Sequence, residues 1–172
     1  LTLTANWNED EYTITFVYGN GTKDSTAKFG ITKPITLDTS ITREGYTFNG
    51  WKVTSAEEES NWEMDKVYTT SPIAAGQYGN VTLTAQWGVV TYSISYELNE
   101  GTASNPTTYT IETETFTLNN PTKTGYTFAG WTGTGLQAAS KTVTITKGSV
   151  GDKESTATWT ANTYYVIFNG NN

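Results

Sequence analysis

A mainly β chain, built from tandem copies of one small module with little helix, is predicted by three features of the sequence. The heptapeptide Gly45-Tyr-Thr-Phe-Asn-Gly-Trp51 returns 80 residues later as Gly125-Tyr-Thr-Phe-Ala-Gly-Trp131. Three more tryptophans, Trp7, Trp87 and Trp159, each end a short alternating run. Five, seven and nine residues beyond them stand Tyr12, Ile14 and Phe16, then Tyr92, Ile94 and Tyr96, then Tyr164, Val166 and Phe168. Apolar residues at a period of two mark a strand with one buried face. Threonine makes up about a fifth of the 172 residues; its β-branch favours extended backbone and its hydroxyl suits a wet sheet face. Antiparallel or mixed sheets with one solvated face follow, so the class is mainly β, α+β at most.

Taken in order, the first module is expected to hold strands over 12–18, 35–37, 46–53 and 81–87. The second mirrors them over 92–98, 115–118, 126–132, 142–146 and 155–159. Gly19-Asn20-Gly21 and Asn99-Glu100-Gly101 supply turns after each first strand, where Gly or Asn takes positive φ at little cost. A second repeated block, Ile73-x-x-Gly76-x-x-Gly79-Asn80 and Ile145-x-x-Gly148-x-x-Gly151-Asp152, leads to Trp87 and Trp159 at the same distance. It is the best candidate for a helical turn, over 73–79, although its paired glycines disfavour anything longer.

The registers divide the chain into residues 1–7, the last strand of a preceding copy; 8–87 and 88–159, two complete modules; and 160–172, the first strand of a following copy. Such a division reads as a piece of a longer array. Modules of this size bury a small core, so strands or contacts shared with neighbouring repeats of the same chain are expected.

Composition excludes several function classes. With neither His nor Cys, thiol nucleophiles, His-based triads and the usual zinc sites are absent, and no cofactor, metal ligand set or catalytic residue is indicated. The net charge of −7 and a sequence pI near 4.5 oppose binding to nucleic acid and to anionic membrane surfaces. No apolar run approaches the roughly 20 residues that cross a bilayer, so membrane insertion is not expected.

The modules differ most between their inner and final tryptophans, where the first carries an insertion around residues 55–65 with five acidic side chains and Trp62. Insertions in repeat proteins map to loops, where binding surfaces vary. Aromatics at fixed repeat positions, among them Trp51, Trp131, Trp87, Trp159, Tyr46, Tyr126, Phe48 and Phe128, are expected to build the core. Trp62 has no counterpart in the second module. It is expected to be exposed, at the centre of a candidate interaction surface with Glu57, Glu58, Glu59 and Glu63. A solvated acidic loop is the plainer reading of the same residues. Clustering in one loop does not make a glycosidase pair, which needs two carboxyls set across a cleft. Asn80 and Asp152 could in principle bind calcium, but without an Asp-rich ligand series they read as turn residues.

The segments Arg43-Glu-Gly-Tyr-Thr-Phe-Asn-Gly-Trp51 and Lys123-Thr-Gly-Tyr-Thr-Phe-Ala-Gly-Trp131, framed by the aromatic alternation and the closing Ala-x-Trp, resemble the Listeria/Bacteroides-type cell-surface repeat, also called the internalin B-repeat. Nearly the whole chain matches that pattern. The resemblance implies tandem β-grasp-like modules with mixed, twisted sheets. It also implies an extracellular setting, on a bacterial cell surface or in a secreted protein. There such repeats act as stalk, spacer or adhesin segments beside a recognition domain and make weak contacts with a protein or glycan on a host or neighbouring cell. The alternative is a carbohydrate-binding module using exposed aromatics such as Trp62. First and last strands lie side by side in a β-grasp sheet, so residues 163–168 of one molecule are expected to pair head to tail with residues 1–7 of another.

Overall fold

The computed structural model describes residues 1–170. The chain divides into two compact units, Leu1–Val89 and Val90–Asn172. In the first, β1 (Glu11–Val17) lies antiparallel to β2 (Ser25–Gly30) on one side and parallel to β5 (Val81–Val89) on the other. β5 pairs antiparallel with β3 (Tyr46–Ala56), whose far edge carries the short β4 (Val67–Tyr68), giving the order β2-β1-β5-β3-β4. The second unit repeats this with β6 (Thr91–Glu97), β7 (Thr108–Thr110), β9 (Tyr126–Gly133) and β11 (Lys153–Ala161) in the order β7-β6-β11-β9. A separate small ladder joins β8 (Phe116–Thr117) to β10 (Thr144–Ile145).

In sheet topology the two units differ in how far the minor ladders extend. A single bridge between Ile35 and Ile73 stands where β8 and β10 pair, and a single bridge between Trp131 and Ser140 stands where β3 and β4 pair. Among the described residues there is no helix, and the sheets are mixed, so the chain is mainly β. First and last strands of each unit lie side by side and parallel. Their register is the same in both copies: Ile14 faces Val81 and Ile94 faces Lys153. In each case the first residue stands seven places after one repeat tryptophan and the second stands six places before the next.

The repeated heptapeptide owes its glycines to backbone geometry. Gly50 and Gly130 take φ of 116° and 151° at a bulge where β3 and β9 each slip register against the last strand. The bulge turns Trp51 and Trp131 fully into the core. A side chain there has no room: a Cβ on Gly50 would lie 2.7 Å from the Tyr68 carbonyl oxygen, and one on Gly130 would lie 2.8 Å from the Ser140 nitrogen. The aromatic core is built around these tryptophans. Phe16, Tyr18 and Phe48 set their edges or faces against Trp51 at centroid distances of 5.1, 5.4 and 5.7 Å, and Tyr96 and Phe128 approach Trp131 at 5.9 and 5.4 Å.

Several expectations need correction. The strand expected over 35–37 shrinks to the Ile35 bridge, and the helical turn expected over 73–79 is an irregular segment in which Gly76 and Gly79 have positive φ. β2, β4 and β7 escape the periodicity because they are short edge strands; in β2 only Phe29 is buried. The heptapeptide tyrosines are not core residues. Tyr126 is 41% exposed and lies under the Lys123 ammonium at 4.3 Å, while half-buried Tyr46 lies under the Arg43 guanidinium at 3.8 Å. The Lys/Arg that opens the motif is thereby explained as a cation stacked on a surface ring. Residues 1–10 and 162–170 form no strand and leave Leu1, Trp7, Tyr165 and Phe168 exposed. A strand needs a ladder partner for its backbone groups, and among the described residues neither segment runs beside one, although the Asn162 N–H donates to the Gly125 carbonyl at 2.9 Å; the last two residues of the predicted segment 160–172 lie outside the described residues.

Because Gly50 combines positive φ with a crowded Cβ position, Gly50→Ala is expected to lower the stability of the first unit by roughly 1–3 kcal/mol. Urea unfolding followed by tryptophan fluorescence measures this. A Gly125→Ala change, whose Cβ meets nothing within 4 Å, isolates the strain of positive φ alone and should cost less.

Candidate functional site

The insertion that distinguishes the first unit leaves β3 at Ala56 and returns through β4. Its backbone is tied to the Gly76–Asn80 turn by side chains at both ends of the loop. The Asn61 amide donates to the Gly76 carbonyl at 2.9 Å, and its oxygen accepts from the Tyr78 N–H at 3.0 Å. The Glu57 carboxylate accepts from the Asn80 N–H at 2.8 Å and from the Asn80 side-chain amide.

Trp62 is buried, at 6% exposure, which overturns its assignment as an exposed binding aromatic. Its ring stands edge-on to Phe29 and Tyr68 at 5.9 and 6.0 Å, and its indole N–H donates to the Gly79 carbonyl at 3.1 Å. The physical reason appears in the other unit. Phe29 pairs with Tyr12 across β1 and β2, and Tyr109 pairs with Tyr92 in the corresponding place on β6 and β7. The Tyr109 hydroxyl donates to the carbonyl of Gly151, the residue equivalent to Gly79. One buried-edge carbonyl therefore recurs in both units. Tyr109 satisfies it from within the sheet, whereas Phe29 lacks a hydroxyl and the insertion brings in an indole instead. Leaving such a group unpaired costs about 1–3 kcal/mol.

The acidic residues do not converge. Glu57 is engaged by Asn80; Glu63 pairs with Lys66 at 3.2 Å and Asp65 with Lys52 at 2.8 Å, all on the surface. Glu58 and Glu59 are exposed on the loop. The hollow beside the loop, lined by Thr13, Thr15, Ser55, Glu57, Asn80 and Thr82, holds about 190 Å³, less than the 300 Å³ or more typical of small-molecule sites. No group of three or more metal-ligating side chains is placed to hold an ion among the described residues.

Asn80 and Asp152 have a structural task instead. The Asn80 side-chain oxygen accepts from the Thr13 N–H at 2.6 Å, and an Asp152 carboxylate oxygen accepts from the Ser93 N–H at 2.7 Å. Each fastens the start of the last strand to the first strand. At the far end, Trp87 donates its indole N–H to the Tyr18 carbonyl at 2.8 Å, and Trp159 donates to the Leu98 carbonyl at 3.1 Å. The repeated Asn/Asp and the repeated Trp thus bracket one pair of strands. Their spacing was visible in the sequence, but their common purpose needed the parallel register.

Two outcomes are expected. Trp62→Ala should destabilise the first unit by roughly 3–5 kcal/mol, and Trp62→Phe should keep the ring packing but lose about 1–3 kcal/mol from the orphaned Gly79 carbonyl; urea titration checks both. The Ser93 backbone N–H holds the Asp152 carboxyl below the usual carboxylate range. Its stabilising effect is complete above the unfolded value of about 3.9 and is lost as pH falls through the lower folded value. The second unit should therefore lose stability in that acid window, and Asp152→Asn should reduce the loss, as measured by thermal unfolding across pH.

A model of the Listeria-Bacteroides repeat domain matches residues 12–86 and 92–154, one match in each unit. The chain is 31% identical over 177 aligned positions to a protein of Evansella cellulosilytica that bears the name Gly-rich membrane protein, covering 96% of this chain and 18% of that one. It is 29% identical over 117 positions to Internalin H of Listeria monocytogenes, covering 68% of this chain and 20% of the relative. The chain thus spans about a fifth of the length of these relatives. Two successive matches, each with its own strand set, its own bulged Gly-Trp and its own bracketed strand pair, place the chain in the Listeria-Bacteroides repeat domain family.

Proposed function

We propose that these two repeats form a structural spacer or adhesin segment of a bacterial cell-surface or secreted protein. They project a recognition domain and have no catalytic activity of their own. The observation that carries this reading is the identity of the fastening contacts in the two units, Asn80 and Trp87 in one and Asp152 and Trp159 in the other. A repeated unit whose shared Asn/Asp and Trp hold its own strands is suited to extending a chain by fixed increments. The names of the relatives, a membrane protein and an internalin, agree with a surface setting.

Contacts with a protein on a host or neighbouring cell would fall on the insertion that distinguishes the first copy, at the exposed carboxylates Glu58, Glu59 and Glu63 beside Glu57. Trp62 offers no face for carbohydrate stacking, because that ring is enclosed by Phe29 and Tyr68. Head-to-tail pairing of residues 163–168 with residues 1–7 stays a proposal for the neighbouring-repeat contact, and a concentration-independent monomer mass in solution would remove it.

A reporter domain displayed on cells above no repeat, one unit or both units tests the spacer reading. Its accessibility to antibody-coated beads too large to enter the surface layer should rise with each unit, and equal accessibility in all three would count against it.

A further inference from the structure

The repeated contacts have a common direction. In each unit the chain enters at the first strand and leaves at the last, and these two strands are neighbours and parallel. The entry end of the first strand and the exit end of the last therefore lie at opposite ends of one ladder. Tension applied along the chain slides the two strands past each other and loads their hydrogen bonds together. In an antiparallel terminal pair, the same tension would open the bonds one after another from one end.

Side chains lengthen this ladder at both ends. The paired registers run from Ile14 to Val17 against Val81 to Thr84, and from Ile94 to Glu97 against Lys153 to Thr156. Just before them, Asn80 and Asp152 hold the backbone N–H groups of Thr13 and Ser93. Just beyond them, the Trp87 and Trp159 indoles hold the carbonyls of Tyr18 and Leu98. The two blocks that repeat most faithfully outside the heptapeptide, the Gly-x-x-Gly-Asn/Asp turn and the closing tryptophan, thus both act on the pair that tension would shear. Between β5 and β6 the chain has one residue, Val90, so little slack separates one such pair from the next.

We propose that each unit is a mechanical clamp, a module that resists pulling along the chain by loading its first and last strands in shear. This rests on the spacer reading for its setting, since only a module in a chain under tension would use it.

Single-molecule pulling tests the clamp on the whole chain. The sequence has no cysteine, so attachment points can be introduced without ambiguity. In the first unit, handles at Asp10→Cys and Val89→Cys pull the strands in shear. Handles at Asp10→Cys and Tyr78→Cys instead peel β5 from β1, because both then act at the same end of the ladder. The side chains at Tyr78 and Val89 are exposed. The expected result is an unfolding force at least about twofold higher in shear than in peeling at one loading rate, since forced unfolding reports the barrier along the pulled direction and not the overall stability. Equal or lower force in shear overturns the proposal. The second unit repeats the comparison with Val90→Cys and Ala161→Cys against Val90→Cys and Val150→Cys, so a variant that fails to fold in one unit does not decide the outcome. Failure here with success in the display experiment leaves a spacer without a clamp, and the converse leaves a clamp in a chain that is not a spacer.

Discussion

Parallel pairing between the first strand and the last is the constraint on which the rest of each unit depends. A parallel pair cannot be closed by a tight turn, so the chain between its members must make a long excursion and return at the same end. In the first unit that excursion runs from β1 to β5, and in the second from β6 to β11. Such excursions are usually helical, but here the long strands β3 and β9, short strands and irregular glycine-bearing segments occupy them. Ile35 bonded to Ile73 and β8 bonded to β10 are the ties that keep the returning segments folded. The bulge at Gly50 and Gly130 belongs to the same problem, because it lets β3 and β9 follow the last strand of each unit while turning their tryptophans inward.

Where the copies differ, the differences compensate. Phe29 and Tyr109 occupy equivalent places, yet one lacks the hydroxyl that the other uses on the glycine carbonyl across the cluster. The insertion of the first unit resolves this with the Trp62 indole and then secures itself through Glu57 and Asn61. A second difference has no such repair. The Trp51 indole donates to the Asp38 carbonyl at 2.8 Å, whereas the fully buried Trp131 indole nitrogen has no hydrogen-bond partner among the described residues. The two units are thus one design with different local solutions to the same polar groups.

Much of this was legible in the sequence because strand alternation and repetition are local patterns. Ile14 and Ile94 are buried as their period of two implies, and the long strands start within a few residues of their expected places. The errors share a cause. The lack of a counterpart to Trp62 in the other copy points to the surface, but a residue unique to one copy can answer a deficit that is also unique, and Phe29 lies far from it in sequence. The recurrence of Tyr46 and Tyr126 points to the core, but surface contacts recur too when a cation three residues earlier is part of the motif. Neither inference is available from spacing alone, since both depend on which side chains meet across the fold.

The shared glycine carbonyl has an implication for how such arrays diversify. A single hydroxyl, present on Tyr109 and missing from Phe29, is enough to decide whether a loop is obligatory at that edge of the module. A copy with tyrosine there can do without the indole-bearing insertion between β9 and β10, because its own hydroxyl already satisfies the glycine carbonyl. A copy with phenylalanine is committed to an indole-bearing loop, whatever else that loop carries. Aromatic hydroxylation at one position would then act as a licence for loop grafting, which makes the second unit the better acceptor for a foreign segment.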